Sequence, residues 1–204
     1  LNIYGPEGTE AFIKDIKSAF KEDIRIRVEP PENHSEEGLK TKSFEIQQGL
    51  IFEKDQLSVT AFDVDHGGGV KHAFGYKIKY KNRSVVISGD TNYSSNLVSY
   101  AKNSDLLIHE IADAPLSIIN KYPKVEGLMN YHTTPEEMAR VINEAKPRYT
   151  VLTHMLLLGG ISETDVLDKV KNLTNNKAEV ELAYDLMAID VKDNIRTYSI
   201  DYEK

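Results

Sequence analysis

Apolar positions in the first half of the chain fall into short, strand-length runs, and in the second half strand runs alternate with helical periods. LNIYG opens as a strand that Pro6 and Gly8 turn. Phe12, Ile13, Ile16, Ala19 and Phe20 then recur at helical spacing, with Thr9 as the expected N-cap. Residues 24–28 alternate Ile, Arg, Ile, Arg, Val, the period of a half-buried strand, and Pro30 and Pro31 stop it. The stretch PPENHSEEG reads as a polar loop. Strands are expected at 43–46, 50–52, 57–64, 73–80 and 83–88, the last two joined by a tight turn at Lys81 and Asn82, which makes an antiparallel meander. The texture then becomes α/β: a helix at 96–101, a strand at 105–109, a helix at 135–145, a strand at 149–153, and a helix at 163–173 closed by Asn175 and Asn176. Strands at 179–183, 186–191 and 196–200 complete the reading. No repeat, low-complexity tract or linker divides the chain.

Composition narrows the chemistry. The 204 residues, 40% hydrophobic, suffice for one domain with a sizeable core. A net charge of −7 gives no basic footprint for a long phosphate backbone, although a local groove could still be basic. With no cysteine there is no disulfide framework and no thiolate site, so any metal must sit on histidines and carboxylates. No apolar run approaches the roughly 20 residues of a helical membrane span.

Three residues stand at the ends of apolar strand-like runs: His66 after LSVTAFDVD, Asp90 after SVVISG and His154 after YTVLT. Three glycines follow His66 and let the backbone turn away without blocking a ligand, though glycine runs serve plain hairpins too. A carboxylate such as Asp90, just beyond a buried strand, lies where ligands enter α/β sheets and has two oxygens with which to bridge metals. An Asx-turn or a cap for the following SSNL segment is the competing reading. His109 and Glu110 end DLLIHE, where a buried neutral histidine hydrogen-bonded to a carboxylate serves equally well. His132 precedes TTPEEM, in which Thr133 or Thr134 caps the helix behind Pro135. A histidine just outside a rigid helix start is well placed to give up a proton, or is simply a loop residue. Because 155–158 stay apolar, His154 could instead be a core histidine. His34 reads as solvent-exposed, and His72 carries no pattern.

Taken in order, VDHGGGVKHAFGYKI, SVVISGDT, DLLIHE, YHTTPEEMARV and VLTHMLLL resemble the metallo-β-lactamase superfamily, in the branch of ribonuclease Z and the arylsulfatase-like hydrolases. LNIYGPEGTEAF looks like that branch's segment just after its first metal motif. The resemblance implies an α/β fold, an αββα sandwich of which this would be the C-terminal portion. It also implies two Zn²⁺ ions, with Mn²⁺ or Fe as alternatives: His66 on one, His154 on the other, Asp90 bridging. His132 matches the proton donor to the leaving group and Glu110 its orienting partner. The implied reaction is hydrolysis of an ester by a metal-bound hydroxide.

The family's His-x-His-x-Asp-His motif occurs nowhere in the sequence, which leaves two protein ligands per metal where zinc usually takes three or four. We therefore expect residues 1–204 to be one domain, incomplete at its N-terminus by roughly a hundred residues and inactive without that motif. Cytoplasmic placement is expected, with periplasmic export open because the N-terminus is missing; a homodimer would suit the branch. Ribonuclease Z enzymes generally carry a long arm between the GYKI-like and SGDT-like strands, and the short segment KIKYKNRSVVISG leaves no room for one. YHTTPEEMARV, KPRYTVLTHMLLLGG and ELAYDLM look closer to the arylsulfatase-like members. A small-molecule anionic ester, such as an aryl sulfate or phosphodiester, is thus the expected substrate. A tRNA 3′-end endonuclease and a non-catalytic binding protein of the same fold are the alternatives.

Overall fold

The computed structural model describes residues 1–175 and 177–200, and its contacts gather into two compact units that divide after Gln47. Asn176, expected to help close a helix, lies outside the described residues.

In the first unit β1 (Asn2–Gly5) pairs in parallel with β2 (Lys42–Glu45), and between them lie α1 (Thr9–Ala19), α2 (Lys21–Val28) and a 3₁₀ turn at Glu36–Leu39. Two expectations are corrected here. Residues 24–28 are helical, because Arg25 reaches Glu22 and Glu29, and Arg27 reaches Asp23, all at i±3 or i±4 spacing. Such pairs support a helix, and the same repeat sets Ile24 and Val28 on one face, so the alternation was ambiguous. Nor does Thr9 cap α1. Gly8 holds that position with φ of +96°, the Thr9 hydroxyl donates to the Pro6 carbonyl, and the Glu45 carboxylate accepts from the Gly8 and Glu10 N–H groups.

In the second unit seven strands form one mixed sheet: β3 (Gly49–Lys54), β4 (Leu57–Val64), β5 (Ala73–Tyr80), β6 (Arg83–Ile87), β7 (Leu106–Asp113), β8 (Tyr149–Leu157) and β9 (Val180–Leu182), adjacent in that order. The first four run antiparallel, with Lys81 at φ +53° in the two-residue turn between β5 and β6; β6 to β9 run parallel. The meander followed by α/β order is therefore as expected. Helix α3 (Ser95–Ala101) follows β6. After β7 come α4 (Leu116–Lys121), α5 (Pro123–Met129) and α6 (Pro135–Ala145), and α7 (Glu163–Leu173) follows β8. β10 (Met187–Asp190) and β11 (Arg196–Ser199) form a separate two-stranded hairpin.

One core joins Phe62, Val86, Leu107, Ile111 and Leu152 of the sheet to Leu97 of α3, Met138 and Val141 of α6, and Val166 and Val170 of α7, all fully or almost fully buried. The parallel strand β7 is buried along nearly its whole length, as a central parallel strand should be. Phe62 lies across the backbone of Gly75, its β5 partner, and stacks on Tyr100 with ring centroids 4.6 Å apart. α6 begins with a full capping box: the Thr134 side chain accepts from the Glu137 N–H and the Glu137 carboxylate from the Thr134 N–H, with Pro135 in the first turn. Among the described residues no helix is long and apolar enough to cross a membrane.

This topology brings chain ends together. β4 runs in the same direction as β6, β7 and β8, so the loops leaving β4 and β6, and the last residues of β7 and β8, share one edge of the sheet.

Chemical denaturation can check the packing. A methyl group at Gly75 would meet Phe62 at 2.4 Å and the Ser88 carbonyl at 2.9 Å, whereas at Gly127 in α5 it meets nothing within 4 Å. Gly75→Ala is expected to lose about 1–3 kcal/mol, and Gly127→Ala to gain roughly 0.5–1 kcal/mol from helix propensity.

Candidate functional site

The shared edge gathers His66, Asp90, Glu110, His132 and His154. His66 leaves the end of β4, where the Asp65 carboxylate accepts from the Gly67 N–H and folds the chain back. Its Nδ1 lies 3.2 Å from the Tyr131 carbonyl oxygen, so Nδ1–H donates there and the Nε2 lone pair is left free. Asp90 follows Gly89, whose φ of +64° places it where a β-carbon would collide with the Phe74 carbonyl. Asp90 does not cap α3, since the Ser94 side chain accepts from the Leu97 N–H. The Asp90 Oδ2 lies 3.4 Å from His154 Nε2.

His154 is not a core residue: its side chain is 59% exposed. β8 continues beyond it to Leu157, and the pairing with β7 skips it, passing from Thr153 opposite Glu110 to Met155 opposite Ile111. It is the extra residue of a β-bulge, at φ +44°, and the bulge turns its side chain toward Asp90. The His132 ring stands between the other two histidines, its centroid 5.5 Å from His66 and 5.9 Å from His154.

Behind His132 the Glu110 carboxyl is buried. Oε1 accepts from the Thr133 N–H at 2.8 Å and the Thr91 N–H at 3.4 Å, while Oε2 lies 3.2 Å from His132 Nδ1. Burial is the largest influence on this carboxyl, and with Asp90 nearby its pKa is pushed up to about 8 against the pull of the two N–H donors. Burial likewise holds the His132 imidazole below its usual range, with the neighbouring histidines acting the same way and Asp90 opposing. At neutral pH both groups are therefore largely uncharged. With Oε1 taken by two N–H groups, Oε2 is the oxygen that faces His132 Nδ1, and a proton held by this carboxyl has that nitrogen as its acceptor, which would leave the ring proton on Nε2.

Two other histidines lie apart from this cluster. His109 is fully buried, donates from Nδ1 to the Glu110 backbone carbonyl at 2.7 Å, and is driven down to about 4 by burial. It is a neutral core residue, bonded to the Glu110 backbone and not to its carboxylate. His34 is exposed, 3.8 Å from Glu32.

Sequence reasoning missed Thr91, Tyr131 and Thr133. The Thr133 hydroxyl donates to the Thr91 carbonyl at 2.6 Å, the Asp65 N–H donates to the Thr91 hydroxyl, and the Asn92 amide donates to the Asn130 carbonyl. The segment TTP was read only as a helix start. Its first threonine ties the loops after β4 and β6 to the entry of α6, and its second is the cap.

As donors, two imidazoles and a carboxylate suit a divalent ion such as zinc. His154 Nε2 and Asp90 Oδ2 are near enough to share one coordination sphere, and His66 keeps Nε2 available. Among the described residues, however, no three His, Cys, Asp or Glu side chains come together as a metal-holding group. These residues fit part of a metal site.

The beta-lactamase superfamily domain family matches residues 5–155. The chain is similar to ribonuclease Z of Bacillus subtilis (strain 168), 27% identical over 205 aligned positions that cover 76% of this chain and 60% of that protein. It thus spans about three fifths of the length of that relative. Its fold is like that of the metallo-beta-lactamase fold protein YhfI from Bacillus subtilis, with a TM-score of 0.60 and 19% identity over 90% of this chain and 62% of the other. Human tRNase Z, short form, superposes with a TM-score of 0.58 and 22% identity over 94% and 68%.

The raised Glu110 pKa has a signed consequence for stability. A carboxyl that holds its proton in the folded state up to about 8, against about 4.5 when unfolded, contributes stability fully below pH 4.5 and loses it as pH rises toward 8. Glu110→Gln keeps the acceptor for Thr133 and Thr91 and offers an amide N–H to His132. Urea titrations from pH 4.5 to 8 should show a decline in wild-type stability that the Gln variant lacks. Equal slopes would mean that Glu110 is ionised in the fold.

Proposed function

The chain belongs to the beta-lactamase superfamily, and on that premise we propose that its protein is a metal-dependent hydrolase of small-molecule esters, with a phosphodiester or aryl sulfate as the class of substrate. The observation that carries this reading is the meeting of His66, Asp90, His132 and His154 at one sheet edge, with Glu110 buried behind His132.

His66, Asp90 and His154 are the groups that would hold zinc. The metal would supply Lewis acidity toward the ester and a more acidic water. The rest belongs to the chain. Asp90 Oδ2 and His154 Nε2 face each other at 3.4 Å. Glu110 fixes the His132 tautomer so that Nε2–H is the donor, and His132 gives this proton to the leaving oxygen as the ester bond breaks. Glu110 keeps the ring neutral in that step: as Nε2 loses its proton, Nδ1 takes the one on Oε2, leaving a carboxylate, and a proton taken up from water at Nε2 with return of the Nδ1 proton to Oε2 resets the pair.

Two observations favour a small substrate. β5 and β6 are joined by two residues, which leaves no room between them for an arm of the kind ribonuclease Z enzymes use to grip tRNA. The net charge of −7 disfavours a long polyanion. A second reading, tRNA 3′-end processing, is favoured by the similarity to Bacillus subtilis ribonuclease Z.

The whole protein should be assayed with zinc on an aryl sulfate, a phosphodiester and a precursor tRNA. Cleavage of a small ester is the expected result, and efficient cleavage of the tRNA alone would put the second reading first. His132→Ala should lower turnover by about 10²–10⁴-fold with metal content unchanged. Asp90→Ala should lose metal, as measured by elemental analysis, and the reverse pattern would exchange the assigned roles.

A further inference from the structure

Three consecutive glycines after His66 all have positive φ: +68° at Gly67, +57° at Gly68 and +85° at Gly69. The glycines carry no side chains of their own; the Asp65 carboxylate accepts from the Gly67 N–H, and the Gly67 carbonyl accepts from the Val70 N–H. What lies against the turn is Tyr131. A β-carbon on Gly67 would come within 2.8 Å of the Tyr131 ring edge, and one on Gly68 within 3.0 Å of the ring carbon bearing the hydroxyl, whereas one on Gly69 would meet nothing. The tyrosine ring therefore rests on the bare backbone of the first two glycines, in space that any other residue there would fill.

The same tyrosine supplies the carbonyl oxygen that meets His66 Nδ1 at 3.2 Å, and the two rings meet edge-on at 6.0 Å. Tyr131 is itself held. Its N–H donates to the Leu128 carbonyl, Asn130 before it accepts from Asn92, and Thr133 beyond it is tied to Glu110 and Thr91. One residue thus carries both the acceptor that orients His66 and the weight that keeps the glycine turn in register with that acceptor.

We propose that Tyr131 is a positioning residue: its ring, packed on Gly67 and Gly68, holds His66 against the Tyr131 carbonyl and so fixes the Nδ1–H tautomer, leaving Nε2 as the nitrogen that can bind a metal. The use made of that nitrogen rests on the hydrolase reading above. The tautomer itself does not. The ring, not the hydroxyl, is the working part. Removing it frees the turn even though the carbonyl remains in the chain, because a hydrogen bond from a mobile side chain to a fixed acceptor persists only while its geometry is kept.

The test is a spectroscopic one on the metal-free protein. Long-range ¹H–¹⁵N correlation of the imidazole rings, in protein labelled with ¹⁵N-histidine and assigned with a His66→Gln control, reports which nitrogen carries the proton. The wild type and Tyr131→Phe should show a single Nδ1–H pattern for His66. Tyr131→Ala and Tyr131→Leu should lose it and show an averaged pattern, while His109 keeps its own Nδ1–H signature as evidence that the fold is intact. Two aliphatic variants are used so that misfolding of one leaves the other to decide. The zinc affinity of the whole protein should fall roughly ten- to a hundredfold in the aliphatic variants and be restored in Tyr131→Phe. An Nε2–H pattern for His66 in the wild type, or an Nδ1–H pattern that survives in Tyr131→Ala or Tyr131→Leu, would overturn the proposal. A fixed Nδ1–H tautomer in a protein that neither binds zinc nor cleaves any ester would sink the hydrolase reading and leave this one standing.

Discussion

A carboxyl group with no access to water must be paired, neutralised or displaced; burial pushes Glu110 toward its neutral form while two backbone N–H groups satisfy one of its oxygens. Its Oε1 takes the N–H groups of Thr91 and Thr133, which come from the loop after β6 and the entry to α6, while Oε2 faces His132. Two connections far apart in sequence are thus fastened to the centre of β7 by one side chain. Remove it and two buried N–H groups lose their acceptor, an unsatisfied state that costs on the order of 1–3 kcal/mol for each. The histidine geometry at the sheet edge depends on these loops, so it depends on that residue.

The sheet explains why the fixed point is where it is. A purely antiparallel meander would send alternate strand ends to opposite edges. Changing to parallel pairing from β6 onward sends the ends of β6, β7 and β8 to the same edge, and β4 shares their direction because two hairpin reversals restore it. Crossover connections that run through helices are what allow this. Connections made at that edge can then be long or short without disturbing the ladder, as α4 and α5 between β7 and α6 illustrate.

Much of this was legible where a side chain's own character sets the structure. β4, β5, α6 and α7 follow from alternation, helical periods and a capping signature, and the strand ends marked His66, Asp90 and His154 because a polar residue closing an apolar run is conspicuous. Residues 24–28 misled because a five-residue alternation of isoleucine and arginine satisfies both a strand face and an i, i+4 helix face, and only the ion pairs with Glu22, Asp23 and Glu29 decide. α4 and α5 went unseen because short helices carry few periods. The parts of the site that escaped notice, Thr91, Tyr131 and Thr133, share a cause. They act largely through backbone N–H and C=O groups or through the room a glycine leaves, and neither is written in residue type.

The bulge in β8 has a mechanical meaning. Strand ends fray, and a group borne on a frayed end wanders with it. His154 is carried past the Glu110 level while the ladder continues on both sides of it, from Tyr149 to Leu157. A lateral tug on its imidazole is therefore resisted by hydrogen bonds before and behind, as a beam clamped at both ends is stiffer than a cantilever. The most solvent-exposed member of the cluster is in this sense the one with the firmest footing.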